Sequence, residues 1–208
     1  MGESNTSQKS QLVKKQKGQM GSWAPYYDLI MTVMTLGREN KLRQMTIRLA
    51  QLMPGDKILE IGCGTGTLIL AAKARVGSSG EAVGIDIAPE MVAVARRKAA
   101  RKGADITFQV GSIASIPFPD NHFDVVLCSF MIFHMPEDVR NSGFKEIYRV
   151  LNTGGHLFIL DSASNDKRYD VRELAPVLRE DSFTEIEVEN IKFMIVKGRY
   201  LRAKVRKT

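Results

Sequence analysis

The stretch Leu59-Glu60-Ile61-Gly62-Cys63-Gly64-Thr65-Gly66 limits this chain more than any other part of it. A short apolar run takes in a carboxylate, and three glycines then follow at alternate positions before a helix-forming segment, "TLILAAKARV". Glycine is entropically costly to order, so side chains are dispensed with there because backbone must turn tightly or approach another group closely. A strand that breaks into such a loop and restarts as a helix is the opening of a β-α unit, and the first turn of that helix offers unpaired N–H groups.

The remaining chain repeats the unit. "KILEI" (57–61), "EAVGIDI" (81–87), "ITFQVG" (106–111), "FDVVLCSF" (123–130) and "GHLFILD" (155–161) read as strands. Helical segments separate several of them: "GTLILAAKARV", "PEMVAVARRKAARKG" and "PEDVRNSGFKEIYRVL". Pro89 at a first turn and Gly103 past an end mark the second of these helices. "FDVVLCSF" is apolar enough to be buried on both faces. "VRELAPVLRE" reads as a helix, and "FTEIEVENIKFMIV" with "RYLRAKV" reads as a hairpin turning at Lys197-Gly198. This alternation predicts an α/β fold: a doubly wound, seven-stranded, mostly parallel sheet with an antiparallel hairpin at its C-terminal edge. Three segments follow: a basic, disordered tail over 1–20, a helical lid over 21–54 split near Gly37, and a Rossmann-like domain over 55–208.

Charge belongs to the ends. The net +7 divides into +3 over residues 1–20, −3 over 21–190 and +7 over 191–208. Basic ends allow contact with nucleic acid or anionic lipid, and equally describe a solvated edge strand guarded by cations. No apolar run approaches the roughly 20 residues of a membrane helix. Cys63 and Cys128 have no metal-ligand or disulfide spacing, so no metal is expected and a cytoplasmic setting fits.

In a doubly wound sheet, ligands bind beyond the carboxyl ends of the strands. A phosphate loop would need GxxxxGK[ST], and no glycine is followed by lysine in that frame. A dinucleotide loop would need GxGxxG, but Thr67 and Ile69 occupy the third glycine positions of the two registers. What remains is E-x-G-x-G-x-G, and Glu60-Ile61-Gly62-Cys63-Gly64-Thr65-Gly66 resembles the first motif of class I S-adenosylmethionine-dependent methyltransferases. Asp86 ends the second strand 20 residues past Gly66, where a carboxylate can accept from ribose hydroxyls. "GSIASIPFPDNHFDVVLCSF" and "EIYRVLNTGGHLFILD" resemble later blocks of that family. Within it, "APYYDLIMTVMTLGREN" and the Pro-Phe-Pro-Asp run at 117–120 are most similar to the ubiquinone/menaquinone-biosynthesis C-methyltransferases.

The resemblance implies S-adenosylmethionine as cofactor, S-adenosylhomocysteine as product, and a small-molecule methyl acceptor, quinone-like or lipid-like. Gly62, Gly64, Thr65 and Gly66 would wrap the methionine portion, with Glu60 facing its amino group. Asp86 would hold the ribose, and Ile87 and Met91 would pack the adenine, though both also fit ordinary core. Ser112 and Ile113 would line the adenine pocket, with Ser112 standing where many relatives carry aspartate. Ser129 would lie near the sulfonium. Tyr27, at the family's "YD", is the preferred aromatic for that cation, with Tyr26, Phe130 and Phe133 as further candidates; a well-placed ring contributes roughly 0.5–2 kcal/mol. Relatives often carry paired histidines where this chain has Phe133-His134; the remaining His134 reads either as a general base or as a packing residue.

Other functions fit less well. Methylation of a base amino group would call for Asn/Asp-Pro-Pro-aromatic where Cys128-Ser129-Phe130-Met131 stands. Base C5 methylation would call for a cysteine nucleophile, and Cys63 and Cys128 lie in the loop and in a buried strand. An RNA- or protein-directed enzyme using the basic C-terminus, and a non-catalytic cofactor- or partner-binding domain, are the alternative readings.

Overall fold

The computed structural model describes residues 28, 32–33, 36–163, 166, 170–193 and 196–207. Seven strands form one sheet in the order β3-β2-β1-β4-β5-β7-β6: β1 (Lys57–Ile61), β2 (Glu81–Asp86), β3 (Thr107–Val110), β4 (Phe123–Ser129), β5 (Leu151–Ser162), β6 (Phe183–Phe193) and β7 (Val196–Val205). The first five pair in parallel. β7 runs antiparallel to both β5 and β6 and lies between them. The expected architecture is present, and the order reverses at β1, with β2 on one side and β4 on the other.

Among the described residues, five helices flank the sheet: α1 (Glu39–Leu49), α2 (Thr67–Val76), α3 (Pro89–Arg101), α4 (Glu137–Val150) and α5 (Leu174–Glu180). Two cores result, because successive strand side chains point to opposite faces. On one face Ile58, Val125, Leu127 and Phe158 pack with Ile47 of α1, Ile69 and Ala72 of α2, and Ala95 of α3. On the other, Leu59, Val126, Cys128 and Ile159 pack with Phe144 and Ile147 of α4 and Leu178 of α5. The double burial read from "FDVVLCSF" follows from this arrangement. Among the described residues no helix is long and apolar enough to cross a membrane.

Two details of the C-terminal hairpin differ from expectation. Lys197 pairs with Lys192 and Gly198 with Ile191, so both lie within the ladder, which runs on to the pair Phe193–Val196. Gly198 is small for a packing reason: a Cβ there would stand 3.0 Å from Ile191 Cγ1. The basic C-terminal strand is also not a solvated edge. Its cations are used internally because β7 is an inner strand. Arg199 meets Asp170 at 2.5 Å, Arg202 pairs with Glu187 and donates to the Leu49 carbonyl, and Lys204 reaches Glu185 at 2.5 Å. Lys207 donates to the carbonyls of Arg149 and Leu151 and lies 5.1 Å from the centre of the Tyr148 ring.

The C-terminal end of α1 is tied to the sheet by two such contacts, Arg202 to Leu49 and a ring nitrogen of His156 donating to the Ala50 carbonyl at 2.7 Å. The other end of α1 reaches over the glycine loop. The tail over 1–20 and most of the segment 21–38 lie outside the described residues, Tyr26 and Tyr27 included.

Candidate functional site

The three glycines serve different purposes. All have φ in the left-handed region: +70° at Gly62, +52° at Gly64 and +76° at Gly66. A Cβ on Gly62 would stand 2.9 Å from Met131 Cγ, and one on Gly66 would stand 2.9 Å from Ala95 Cβ and 3.0 Å from the Phe108 ring. These two are small so that the loop can close on the rest of the fold. A Cβ on Gly64 would meet nothing within 4 Å. Gly64 is therefore the glycine whose surroundings remain open to a ligand.

Asp86 fixes that position. Gly64 N–H donates to Asp86 Oδ2 at 2.8 Å, and Ala88 N–H donates to Oδ1 at 2.9 Å. Gly111 N–H donates to the Asp86 carbonyl at 3.0 Å, so the ends of β1, β2 and β3 are joined. Burial holds the Asp86 carboxyl above its usual range, against the opposing pull of these N–H donors. Each carboxylate oxygen has a second acceptor site.

Beside the loop is a cavity of about 80 Å³ lined by Glu60, Gly62, Cys63, Gly64, Thr65 and Ser129 from the sheet ends, and by Glu39, Leu42, Arg43 and Thr46 from α1. Glu60 is 3% exposed, and its Oε2 is buried without a hydrogen-bond partner among the described residues. Burial raises its pKa to about 8, a shift moderated by the Ile69 N–H and by Arg43. A carboxylate held this way is a receptor for a cation that brings its own N–H donors. Phe130, also on the cavity, has φ +53°, a left-handed conformation that costs a bulky residue on the order of 1–3 kcal/mol and is concentrated at functional sites.

Of the residues expected at the site, Glu60, Gly62, Gly64, Thr65 and Ser129 line this cavity, and Asp86 joins it through Gly64. Gly66 caps α2 directly behind it. Ile87, Met91, Ser112 and Ile113 lie at the same end of the sheet, outside the cavity. Met91 is buried with Ala88 and Val94, and Ser112 Oγ accepts the N–H of Ala114 at 3.2 Å. The Ile113 side chain packs so closely on Gly143 of α4 that a Cβ there would stand 2.5 Å from it. His134 is exposed in a 3-10 turn (Ile132–His134) after β4. Burial pushes both thiols well up, Cys63 also feeling Glu60 and Asp86, and Cys128 feeling Glu60; neither is poised as a nucleophile.

Asp28 and Arg43 escaped the sequence reading. Thr65 Oγ1 donates to Asp28 Oδ1 at 2.6 Å, and Lys98 Nζ of α3 reaches Asp28 Oδ2 at 2.6 Å. One carboxylate from the N-terminal segment thus joins the glycine loop to the third helix. Asp28 stood in the quoted "YYD" stretch, but nothing in the sequence pairs it with Thr65 or Lys98, 37 and 70 positions away. Arg43 pairs with Glu39 on α1, a spacing visible in sequence whose place over Glu60 was not.

Residues 58–155 match the family described as a methyltransferase domain. The chain is 35% identical over 148 residues to a demethylmenaquinone methyltransferase of Symbiobacterium thermophilum, covering 70% of this chain and 58% of that protein. It is 34% identical over 151 residues to the ubiquinone/menaquinone biosynthesis C-methyltransferase UbiE of Hydrogenovibrio crunogenus, covering 72% and 59%. The chain thus spans less than two thirds of the curated relatives' length. Among solved structures, a SAM-dependent methyltransferase from Aquifex aeolicus superposes with TM-score 0.69 at 21% identity, over 78% of this chain and 89% of that one. The [4+2]-cyclase SpnF superposes equally well, with TM-score 0.69 at 20% identity over 82% of each chain. Residues 58–155 are a methyltransferase domain of the S-adenosylmethionine-dependent class, and the chain that carries them is a homologue of the ubiquinone/menaquinone C-methyltransferases.

Proposed function

We propose that this chain binds S-adenosylmethionine across the glycine loop and transfers its methyl group to a small acceptor, with a hydroquinone as the leading candidate. One observation carries the cofactor reading: the Oε2 of Glu60, buried and without a partner among the described residues, in a cavity beside the one glycine of the loop with open surroundings. An ammonium group supplies a positive charge and the N–H donors that Glu60 Oε2 lacks. The second acceptor sites of the Asp86 carboxylate suit the ribose hydroxyls.

When bound, the cofactor supplies an electrophilic methyl group on a sulfonium. This chain's task is then orientation and exclusion of water. Glu60 and the loop fix one end, Asp86 fixes the other, and α1 with Asp28 closes the side facing solvent. The hydroquinone assignment draws on the curated relatives, whose names specify menaquinone and ubiquinone biosynthesis. The internal pairing of Arg199, Arg202, Lys204 and Lys207 weighs against a nucleic-acid surface on the C-terminal strand.

A fold shared with a cyclase shows that architecture does not fix the reaction. The test is therefore chemical. Purified protein is titrated with S-adenosylhomocysteine by calorimetry, then assayed with labelled cofactor against demethylmenaquinol, phosphoethanolamine and RNA. Saturable binding with transfer to the quinol is the expected outcome. Binding without turnover on any acceptor would favour the non-catalytic reading, and transfer to RNA would overturn the small-molecule one.

A further inference from the structure

Asp161 closes the buried part of β5 and is 8% exposed. Its Oδ1 accepts the N–H of Ser162 at 2.8 Å, while its Oδ2 is buried and has no hydrogen-bond partner among the described residues. A cation stands beside it, since Arg199 is its direct neighbour across the β5–β7 ladder. Yet Arg199 is committed elsewhere, to Asp170 at 2.5 Å and, through Nε, to Asn190 Oδ1 at 2.8 Å. Buried carboxylate oxygens are normally satisfied, and the exceptions gather where chemistry is done.

Its position fits an acceptor. Leu160 lies opposite Ser129 in the β4–β5 ladder, and Phe130 N–H donates to the Leu160 carbonyl at 2.8 Å. Asp161 is thus one residue beyond the strand pair that reaches the cofactor cavity. Strand alternation sends Glu60 to the face of α1 and α2, and Asp161 to the opposite face, with Leu157 and Ile159. The two carboxylates, each with one oxygen unpartnered among the described residues, therefore flank the carboxyl end of β4 from opposite sides. Among the described residues, the titratable groups facing Asp161 are His134 from the turn after β4 and Arg199 from β7, itself paired with Asp170. Burial holds its carboxyl above the usual range, and His134 pulls the other way.

We infer that Asp161 is the acceptor-side carboxylate, receiving the hydroxyl hydrogen of a phenolic or hydroquinone substrate. This rests on the functional reading above. As methyl transfer proceeds, the phenolic proton passes to Asp161 and the electron density released makes the ring carbon nucleophilic. The new carbon–carbon bond forms as the methyl–sulfur bond breaks, its electron pair staying on sulfur. The hydrogen on that ring carbon then leaves to water, and Asp161 returns its proton to the oxygen, restoring the aromatic hydroquinone. The net release is one proton.

The test compares wild type with Asp161→Asn in the full chain, using a naphthohydroquinone lacking a ring methyl as probe. We expect the variant to bind S-adenosylhomocysteine within about twofold of wild type and to melt no lower, because a buried charge has been removed. Its transfer rate should fall about 100-fold, and the rise of the wild-type rate with pH should flatten. A rate within about threefold of wild type with the same pH profile would overturn the assignment. So would a lower melting midpoint with proportionate activity loss and an unchanged profile, the mark of a structural role. A wild-type protein that binds the cofactor but leaves the probe unmethylated sinks the functional reading instead; equal binding of the probe to both proteins would then sink the Asp161 role as well.

Discussion

Gly64 donates its backbone N–H to Asp86 Oδ2 at 2.8 Å, so the residue closing β2 also shapes the loop after β1. The carboxylate expected to hold the ribose thus has a second duty, and removing it loosens the loop. In Asp86→Ala the N–H groups of Gly64 and Ala88 both lose their acceptor, which predicts a stability loss of about 1–3 kcal/mol alongside the loss of transfer. Asp86→Asn keeps an acceptor for one of them and is the cleaner probe. Cofactor affinity at the wild-type level in a folded Asp86→Asn protein would remove Asp86 from the ribose site.

Glu60 should make cofactor binding depend on pH. With its pKa raised by burial to about 8, the carboxyl is mostly protonated at pH 6 and must ionise to receive an ammonium group. Affinity for S-adenosylhomocysteine should therefore rise by roughly tenfold per unit between pH 6 and 7 and level off above pH 8. The ligand-free fold should show the opposite trend: the unfolded state ionises at lower pH, so stability should decline as pH rises from about 4.5 towards 8. Glu60→Gln should bind weakly at every pH and lose both slopes. Calorimetry across this range would show it.

The alternate glycines should not respond alike to alanine. At Gly66 a Cβ meets Ala95 and Phe108 at 2.9–3.0 Å in a left-handed backbone, so Gly66→Ala should lower stability by about 2–4 kcal/mol. Gly64→Ala carries only the backbone strain, about 1 kcal/mol, but places a methyl in the open space beside the cavity. Denaturant melts paired with cofactor titrations should separate a folding defect in the first from a binding defect in the second.

Asp28 should govern how long the cofactor stays. Its pair with Lys98 is partly exposed and contributes less than about 1 kcal/mol to stability. Asp28→Ala should therefore melt near wild type while the off-rate of S-adenosylhomocysteine in stopped-flow rises several-fold. An unchanged off-rate would reduce the contact with Thr65 to packing.

Asp170 anchors the end of the sheet through charge. Burial opposes its ionisation, but hydrogen bonds from Arg172 and Arg199 prevail and hold its carboxyl down at about 2. The stability it contributes, at most about 2 kcal/mol, is fully present above its unfolded value of 3.8 and is lost as pH falls through 2. Asp170→Asn should be less stable than wild type at pH 7, and the gap should close in acid denaturation.

The succession of strands and helices up to β5, the two-sided burial of β4 and the loop Glu60–Gly66 were legible in the sequence because each is written locally. Period, apolar run length and glycine spacing are properties of neighbouring residues. The hairpin register was not: Lys197-Gly198 has the composition of a turn, and only packing against Ile191 and Asp161 shows that the glycine serves an inner strand. The basic C-terminus misled for the same reason, since its partners Asp170, Glu187 and Leu49 are remote in sequence. Glycine spacing and the carboxylates at strand ends fixed what kind of site this chain could build. Tertiary structure decided that Gly62 and Gly66 answer to Met131, Ala95 and Phe108 while Gly64 faces open space, and that Glu60 and Asp161 keep unpartnered oxygens on opposite sides of one strand. Contacts between distant residues depend on how layers pack, and no local pattern encodes that.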